Sequence, residues 1–490
     1  MSLFNKLAEI RACGGVRVSA GLGDDIIGKF AAQDQNLAHA VDDAHQAFIG
    51  LKQEFARELA CDEVDQVVLM HAEIINFYTN DTVNPYVTLA ARGPWIITSK
   101  GAVIYDTGGY GMLGFGHAPE KVLAAMCRRQ VMANIMTPNF SHLRMSNALR
   151  KEIGHTRGTC PYDGFLCLNS GSEAVSLGAR ISDINAKLAT EAGAAHAGKK
   201  IKHIALAGGF HGRTDRPAQY SDSTRSTYLK HLASFQGADT LLTVEPNNPE
   251  QLQQVFERTI NDGYFIESMF IEPVMGEGNP GEAITREFYE RARALTAEHG
   301  ALLLIDSIQA GLRACGCLSI IDYPGFEGIE APDMETYAKA LNAGQFPLSV
   351  LAVTERVTDL YKKGVYGNTM ASNPRALDVA CQVLEQITPD VRENIRARGR
   401  EFLSCLRQLA QELDGPITGV QGTGLLCSCE LRSDLKSFGD DSIEEHMRRQ
   451  GVGVIHGGKN SLRFTPHFNI NSDEINLIIE VTRQALLEAG

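Results

Sequence analysis

The sequence predicts an α/β fold in which helices cover a parallel sheet, and three observations favour this class. From about residue 160 to 375, short apolar runs alternate with amphipathic stretches and glycine-containing turns. Four of these runs end at a polar or glycine-rich segment, as strands do where a parallel sheet forms its ligand crevice. The chain has 490 residues, of which 44% are hydrophobic and 21% charged. This composition supports a large core and excludes disordered and fibrous classes.

The predicted strands define the central sheet. They cover residues 165–168, 203–207, 264–271 and 301–305. Between the last two, Phe288, Ala292 and Leu295 recur at helical spacing, and Gly300 supplies a helix stop. This strand–helix–strand unit is typical of a parallel sheet.

The segments on either side predict a helical start and a smaller second domain. The early part is mainly helical, with few glycines after Gly28. After about residue 385 the chain becomes helical again, turns to short strands near 422–430 and 461–465, and closes with an amphipathic helix near 473–487. We therefore expect an N-terminal extension at 1–90, a lead into the core and start of the small domain at 91–155, a large domain at 156–385, and the rest of the small domain at 386–490.

Composition excludes several classes of function. A net charge of −13 argues against bulk nucleic-acid binding, which needs a basic surface. The 11 cysteines are odd in number and irregularly spaced, so no disulfide framework is expected, and no zinc-like spacing predicts a metal. No apolar run approaches the roughly 20 residues of a membrane span, and the N-terminus does not resemble a signal peptide. We expect a cytoplasmic protein without membrane partners.

The segment 169–174 follows the first predicted strand and starts a helix. Ser170 and Glu173 have the spacing of a capping box, and a helical pattern opens at Ala174. Because a helix N-terminus presents free N–H groups, it suits a phosphate. A simple helix cap explains this segment equally well, and from these residues alone it is the better interpretation.

Polar and aromatic residues follow the other three strands. Phe210 stands after the second strand, where an aromatic ring could stack on a flat cofactor or simply fill the core. Glu272 follows the third strand and Asp306 the fourth. A carboxylate at the end of a buried strand is costly unless it is paired, and the ring nitrogen of pyridoxal phosphate (PLP) is one such partner. A helix cap or an ion pair is the alternative.

Lys339 is a single lysine among small and apolar residues, Tyr337, Ala338, Ala340 and Leu341. A lysine that forms a Schiff base must be partly desolvated, so that its amine is neutral and nucleophilic. The alternative is a surface lysine whose stem lies along apolar surface, which is commoner for any single lysine.

One motif points elsewhere. Gly109, Gly111 and Gly114 match the G-x-G-x-x-G of dinucleotide-binding proteins. That site also needs a helix that opens inside the motif and an acidic residue about 20 positions later. Here the helix is predicted near Pro119, and residues 122–150 contain no Asp or Glu. The match is therefore interpreted as accidental.

Taken in order, these segments resemble the class III, or ω-amino-acid, aminotransferases of PLP fold type I. The resemblance runs from about Gly101 to the C-terminus and rests on five motifs, Asn-Ser-Gly-x-Glu-Ala, aromatic-His-Gly-Arg-Thr, Glu-Pro-x-x-Gly-Glu, Asp-x-x-Gln-x-Gly and Ala-Lys-Ala-Leu. It implies a large PLP-binding domain with a mostly parallel seven-stranded sheet, and a smaller α+β domain formed by the N- and C-terminal segments. It also implies a homodimer with shared active sites and ping-pong transfer of an amino group from an amino acid or ω-amine to a 2-oxo acid such as 2-oxoglutarate.

The resemblance also implies roles for individual residues. Lys339 would be the Schiff-base lysine and proton shuttle, and Asp306 would pair with the pyridine nitrogen. The other implied cofactor-binding residues are Ser170, Gly171 and Ser172 at the phosphate, Phe210 on the ring, His211, Glu272 and Gln309 near the ring, and Thr369 at the phosphate of the neighbouring subunit.

Three further residues are implied in substrate binding. Arg463 would hold a substrate carboxylate, and Glu277 would cover that arginine when an ω-amine enters. Tyr110 stands where ornithine aminotransferases carry a carboxylate-binding tyrosine. Without the resemblance, a surface ion pair would be preferred for Arg463, and a structural role is about as plausible for Tyr110.

The chain also departs from the family pattern. Ser307 and Ala310 stand where most relatives carry glutamate and threonine, Met275 replaces a commoner glutamine, and residues 313–316 replace Gly-Arg-Thr-Gly. These changes leave the identity of the amino donor open. An amino-acid racemase or epimerase on the same fold is the alternative function, followed by a decarboxylating relative and a non-catalytic protein that has kept the fold.

Overall fold

A computed structural model describes residues 1–132, 134–237 and 239–489. In these ranges the α-helices are α1 Leu3–Arg11, α2 Asp24–Ala31, α3 Gln35–Glu54, α4 Ala56–Ala60, α5 Glu63–His71, α6 Glu120–Met126, α7 Phe140–Glu152, α8 Gly171–Thr190, α9 Asp215–Tyr220, α10 Arg225–His231, α11 Pro249–Asn261, α12 Arg286–Glu298, α13 Glu355–Leu360, α14 Pro374–Glu385, α15 Pro389–Leu413, α16 Ile443–Arg449 and α17 Ser472–Ala489. Short 3₁₀ helices cover Asn80–Thr82, Gly109–Gly111, Ala233–Phe235, Ile320–Asp322 and Lys339–Asn342.

The strands are β1 Thr88–Arg92, β2 Trp95–Thr98, β3 Val103–Asp106, β4 Gly164–Leu168, β5 Lys200–Leu206, β6 Leu241–Val244, β7 Tyr264–Ile271, β8 Leu302–Asp306, β9 Met334–Tyr337, β10 Ser349–Val353, β11 Ile417–Thr423, β12 Leu426–Leu431, β13 Val452–Gly453, β14 Ile455–Gly457 and β15 Ser461–Phe464. The predicted strand at 264–271 is found with the same bounds, and the other three predicted strands shift by one to three residues. No helix in the described part of the chain is long and apolar enough to cross a membrane.

The chain folds into two compact units. The first contains residues 1–120, 397–421 and 427–490, and the second contains residues 121–396 and 422–426. The first unit confirms the predicted smaller domain built from the two ends of the chain. The bounds of the four ranges predicted from the sequence remain a prediction.

The second unit is built on a seven-stranded sheet with the order β4-β10-β9-β8-β7-β5-β6. Strand β10 runs antiparallel to β4 and β9, and the pairings among β9, β8, β7, β5 and β6 are parallel. The prediction of an α/β fold with a mostly parallel seven-stranded sheet is confirmed. The predicted helix between the third and fourth strands is α12.

Helix α8 packs closely on this sheet. Its apolar residues Val175 and Ile181 are fully buried in one cluster with Phe270 and Leu304 from the strands. A Cβ atom on Gly178 would lie 2.5 Å from Leu304 Cδ1, so the helix approaches the sheet where it lacks a side chain. This packing fixes the start of α8 relative to β8.

The first unit contains two four-stranded sheets, β1-β2-β3-β13 and β11-β12-β15-β14. Helix α3 of the N-terminal extension packs against β1 and β2. The G-x-G-x-x-G segment forms the 3₁₀ turn Gly109–Gly111, and the next α-helix starts at Glu120. The glycine motif therefore does not open an α-helix, as a dinucleotide site would require.

Candidate active site

The sheet brings the predicted cofactor residues of the second unit to one edge. Strands β8 and β9 are parallel, and Asp306 at the end of β8 is level with Thr336 on β9. Lys339 follows the end of β9 by two residues. Strand β4 runs in the same direction, since both β4 and β9 are antiparallel to β10, and it ends three residues before Gly171. The carboxyl ends of these strands therefore carry Lys339, Asp306 and Gly171 along the same edge.

Asp306 is the most strongly held carboxylate at this edge. It is 3% exposed, and His211 Nδ1 lies 2.8 Å from its Oδ2. Its Oδ1 accepts hydrogen bonds from Thr336 Oγ1 at 3.1 Å and from the backbone N–H of Ile308 at 3.2 Å. These contacts fix the carboxylate in orientation and make it a suitable partner for a cationic ring nitrogen. His211 is buried as well, and its Nε2 has no hydrogen-bond partner among the described residues.

Glu272 lies next to this pair. Its two oxygens accept backbone N–H groups from Phe210 at 2.8 Å and from Gly276 at 3.0 Å. The pKa of Glu272 is raised to about 7, chiefly by burial; His211 acts to lower this pKa, and the charge of Asp306 acts to raise it. The carboxyl group therefore ties the segment after β5 to the segment after β7, and so positions Phe210.

The start of α8 is organised by Ser170 and Glu173. The Ser170 side chain accepts the N–H of Glu173, as the predicted cap requires. The Glu173 carboxylate instead accepts the N–H of Asn169 at 2.7 Å, one residue before the cap, so only the first half of the capping box forms as predicted. The first N–H groups of an α-helix have no hydrogen-bond partner within the helix. In α8 these include the backbone N–H groups of Gly171 and Ser172.

Two glycines allow other segments to pack closely against this helix start. A Cβ atom on Gly171 would lie 2.7 Å from Ile308 Cδ1, and one on Gly212, whose φ is +118°, would lie 2.5 Å from Ser172 Oγ. Side chains at these positions would therefore collide with the loop after Asp306 and with the first turn of α8. The two glycines therefore let the loop after Asp306 and the segment after β5 approach the start of α8 closely.

Lys339 occupies an unusual backbone position. Its φ is +43°, a left-handed conformation that costs a non-glycine residue of order 1–3 kcal/mol. The residue is half-buried and begins the 3₁₀ turn Lys339–Asn342, directly after the buried strand β9. Strain of this kind persists where the surrounding structure holds a residue in place, and it is common at functional sites.

Gln309 and Thr369 occupy different environments. Gln309 is 7% exposed, and its amide fills the space where a Cβ atom of Gly276 would stand. Thr369 is exposed, and the segment that carries it is attached to α8. Asn368 Nδ2 donates to Glu173 Oε1 at 2.5 Å, and Tyr366 donates to the same oxygen at 2.8 Å.

Arg213 belongs to the motif aromatic-His-Gly-Arg-Thr, and the sequence predicts no role for it. Its guanidinium lies 5.4 Å from the centre of the Phe210 ring and forms an ion pair with Glu277 at 3.2 Å. The Arg213 side chain is 43% exposed and therefore accessible to a ligand. The sequence signal that could have indicated this contact is the position of Arg213, three residues after the aromatic residue of the motif. The resemblance implied that Glu277 covers Arg463. In the structure, the ion pair of Glu277 is with Arg213.

The other two predicted substrate residues meet in the first unit. Arg463 on β15 is 1% exposed, and its guanidinium lies 5.4 Å from the centre of the Tyr110 ring. The Tyr110 ring is stacked on Tyr78 with 6.2 Å between ring centres. Burial raises the pKa of the Tyr110 phenol, so this group stays neutral at physiological pH.

Comparison with known proteins assigns the family. Residues 77–486 match the model of the family described as aminotransferase class-III. The chain belongs to the class III aminotransferases. It is 29% identical over 416 residues to the acetylornithine aminotransferase of Ralstonia nicotianae, covering 81% of this chain and 94% of that protein. It is 27% identical over 402 residues to ornithine aminotransferase 2 of Staphylococcus aureus, covering 81% of this chain and 93% of that protein.

Solved structures support the same fold. The ornithine aminotransferase of Toxoplasma gondii ME49 superposes with a TM-score of 0.72 at 23% identity, covering 87% of this chain and 95% of that one. As a class III aminotransferase, the protein is an enzyme that moves an amino group between an amino donor and a 2-oxo acid. Its cofactor is pyridoxal 5′-phosphate. Membership of this family supports transamination over racemisation, decarboxylation and a non-catalytic role.

The second unit has the groups that PLP requires. A buried carboxylate, Asp306, suits the ring nitrogen, and a helix N-terminus at Gly171 suits the phosphate. The lack of a side chain at Gly171 and Gly212 lets Ile308 and Ser172 pack closely against these positions at the helix start. The residues present therefore fit the cofactor of this class III aminotransferase.

Proposed function

We propose that Lys339 and Asp306 are the catalytic residues of this aminotransferase. PLP, when bound, acts as an electron sink for the carbon that carries the donor amine. The Lys339 amine would hold the cofactor covalently and then move the proton between the donor carbon and the cofactor carbon. Asp306 would keep the ring nitrogen protonated. The observation that carries this proposal is the buried Asp306–His211 pair at the same sheet edge as Lys339.

The remaining cofactor residues act as positioning groups in this proposal. Gly171 and Ser172 would bind the phosphate through the N–H groups of α8, with Ser170 as the cap that holds the first turn. Phe210 would cover one face of the ring and Gln309 would stand near its hydroxyl group. The list of proposed cofactor ligands is completed by His211, Glu272 and, from a second subunit, Thr369.

Two guanidinium groups are available for the carboxylates of the substrates. Arg213 is accessible and pairs with Glu277, so a substrate carboxylate can replace that glutamate. Arg463, next to Tyr110 in the first unit, keeps the role that the resemblance implies and would bind a substrate carboxylate. We propose 2-oxoglutarate as the acceptor, as the resemblance implies. The named relatives favour the terminal amine of an ornithine-type amino acid as the donor.

The assembly and location remain part of the proposal. A homodimer with shared active sites follows from the role given to Thr369, whose side chain is exposed. A cytoplasmic location is retained from the sequence, without a nucleic-acid or membrane partner.

A half-reaction screen tests this function. Each candidate α- or ω-amine is added to the PLP-loaded enzyme without an acceptor, and conversion of the cofactor to its amino form is followed by absorbance. Ornithine-type donors should convert the cofactor, and 2-oxoglutarate should restore it. Lys339→Ala should lose turnover and the absorbance of lysine-bound cofactor, whereas Lys363→Ala, an exposed lysine, should keep both. Turnover close to wild type in Lys339→Ala would refute the scheme.

A further inference from the structure

Strand β9 carries a carboxylate inside the large sheet, at a level where both neighbouring strands carry apolar side chains. Glu335 is fully buried, and the residues level with it on β8 and β10 are Ile305 and Ala352. A buried carboxylate destabilises a fold unless hydrogen bonds compensate for the lost contact with water. Since an apolar side chain would suit this place at lower cost, stability alone does not account for Glu335.

Four donors surround this carboxylate. Its Oε1 accepts the hydroxyl of Ser307 at 2.6 Å and the backbone N–H of Ile320 at 3.0 Å. Its Oε2 accepts the hydroxyls of Tyr162 at 2.7 Å and Ser319 at 2.5 Å. Glu335 therefore joins β9 to segments that are distant in the sequence, and all of these residues belong to the second unit.

One of the four donors is the residue directly after Asp306. Ser307 is 1% exposed, and its backbone N–H donates to the carbonyl of Thr336 at 3.0 Å. Thr336 in turn donates its hydroxyl to Asp306 Oδ1 at 3.1 Å. Because Glu335 and Thr336 are consecutive in β9, their side chains point to opposite faces of the sheet. The end of β8 is therefore held from both faces, at the place where the Asp306 carboxylate leaves the strand.

The same carboxylate fixes the strand that leads to Lys339. Strand β9 ends at Tyr337 and is buried along its whole length. The chain then turns into the left-handed conformation of Lys339, four residues after Glu335. A shift of β9 against β8 would therefore move Lys339 relative to Asp306. The hydrogen bond between Glu335 and Ser307 opposes that shift, because it connects the two strand ends.

We propose that Glu335 is a positioning residue of the active site, which sets the placement of Asp306 relative to Lys339 through its hydrogen bond with Ser307. The proposal rests on the proposed function, because it takes Asp306 and Lys339 as catalytic. Most relatives carry glutamate at the position of Ser307. The link between Ser307 and Glu335 therefore depends on a residue that distinguishes this chain from them.

Two serine variants test the proposal. Ser307→Ala and Ser319→Ala each remove one hydroxyl donor from the same buried carboxylate, and only Ser307 adjoins Asp306. We expect Ser307→Ala to weaken PLP binding by the apoenzyme and to slow the donor half-reaction, each by about tenfold, because small displacements of reacting groups have large effects. Ser319→Ala should stay within about twofold of wild type in both measurements. Ser319 also caps the 3₁₀ helix Ile320–Asp322, so this control removes a second contact as well.

The apoenzyme gives a readout that does not depend on catalysis. Hydrogen–deuterium exchange of a peptide that spans residues 302–311 measures how firmly the end of β8 is held. Ser307→Ala should raise exchange at the backbone N–H groups of residues 307 and 308, which donate to Thr336 and Asp306. Exchange in this peptide should be unchanged in Ser319→Ala.

Replacements of Glu335 separate its charge from its hydrogen bonds. Glu335→Gln keeps an oxygen for Ser307 and Ile320, and the hydroxyls of Tyr162 and Ser319 can turn to accept from the new amide. Its PLP affinity should stay within about threefold of wild type. Glu335→Leu removes all four hydrogen bonds and should weaken PLP binding by at least about tenfold. The serine variants keep the test independent of whether Glu335→Leu folds.

The results separate this inference from the proposed function. If Lys339→Ala keeps turnover, the proposed function is wrong, and exchange in the apoenzyme still decides whether Glu335 holds the end of β8. If Lys339→Ala is inactive but Ser307→Ala matches Ser319→Ala in PLP affinity and exchange, the positioning role is overturned. A loss in Ser307→Ala alone, with Glu335→Gln close to wild type, would support that role.

Discussion

At the scale of single residues, burial decides what the site can do. Asp306, His211 and Glu272 are all nearly inaccessible, and each exchanges contact with water for defined hydrogen bonds. A buried carboxylate keeps its charge only when such partners compensate for lost solvation. The Asp306 carboxylate forms hydrogen bonds with the imidazole of His211, the hydroxyl of Thr336 and the backbone N–H of Ile308. Glu272 receives two backbone N–H groups, and its pKa rises to about 7.

The raised pKa of Glu272 predicts a specific pH dependence of stability. Burial raises this pKa from about 4.5 to about 7, so the folded protein binds a proton that the unfolded chain releases. The contribution of Glu272 to stability is therefore fully present below about pH 4.5 and is lost as pH rises through about 7. The full loss is on the order of 3 kcal/mol, since each pKa unit corresponds to about 1.4 kcal/mol. Chemical denaturation of wild type and Glu272→Gln between pH 5 and 8 should show this decline in wild type and a flatter curve in the variant.

Glu298→Gln provides the control for this measurement. Glu298 is an exposed carboxylate on α12, so its removal should leave the slope of stability against pH unchanged. Parallel curves for wild type and Glu272→Gln would contradict the assignment of the slope to Glu272.

Sequence reasoning found the residues at the strand ends and missed one that lies within a strand. Glu335 on β9 is fully buried, and it accepts hydrogen bonds from Ser307 at 2.6 Å, Tyr162 at 2.7 Å and Ile320 N at 3.0 Å. A carboxylate among apolar residues interrupts the pattern that predicts a buried strand, so β9 was not identified. The partners of Glu335 come from distant parts of the sequence, and no local pattern could have indicated them. Ser307, a departure from the family pattern, is one of those partners.

At the scale of elements, the glycine that begins α8 controls how the helix and the loop after β8 fit together. A Cβ atom on Gly171 would meet Ile308 at 2.7 Å, two residues after Asp306. Gly171→Ala should therefore displace that loop and weaken PLP binding by about tenfold or more, since a shift of this loop moves two of the proposed cofactor contacts at once. Fluorescence titration of the apoenzyme with PLP measures the effect.

Gly50→Ala is the matched control for this substitution. Gly50 lies within helix α3, and a Cβ atom there would have nothing within 4 Å. The change should leave PLP affinity unaltered and raise thermal stability slightly, because alanine favours a helix over glycine. Unchanged PLP affinity in Gly171→Ala would show that the contact with Ile308 relaxes easily.

At the scale of the whole molecule, the sequence predicted the class of fold because strand runs and turns are local signals. Four of the seven strands of the large sheet were identified from their apolar runs, and the number seven came from the family resemblance. Strand β6, Leu241–Val244, is short, and β10, Ser349–Val353, pairs antiparallel with both of its neighbours. Pairing of this kind depends on residues far apart in the chain, which periodicity cannot reveal. The place of α5 was also beyond local patterns, because its buried side is polar.

The proposed shared active site predicts that two inactive variants can restore activity when mixed. Lys339→Ala removes the proposed catalytic amine, and Thr369→Glu places a negative charge where the neighbouring subunit's cofactor phosphate would bind. Thr369 is exposed, so its replacement should not prevent folding. In a hybrid dimer, one site combines both changes and the other has both native residues. Random mixing of equal amounts therefore restores about a quarter of the sites.

The measurement is the turnover of co-refolded mixtures of the two variants, compared with each variant refolded alone. A mixture of Lys339→Ala with Lys339→Ala,Thr369→Glu is the control, because no combination of these chains contains the catalytic amine. Recovery near a quarter of wild-type turnover, absent from the control, would support a site completed by the second subunit. If the mixture shows only the average of its separate components, Thr369 acts within its own chain or has no part in the site. A role within its own chain would agree with the hydrogen bond that the neighbouring Asn368 donates to Glu173 of α8.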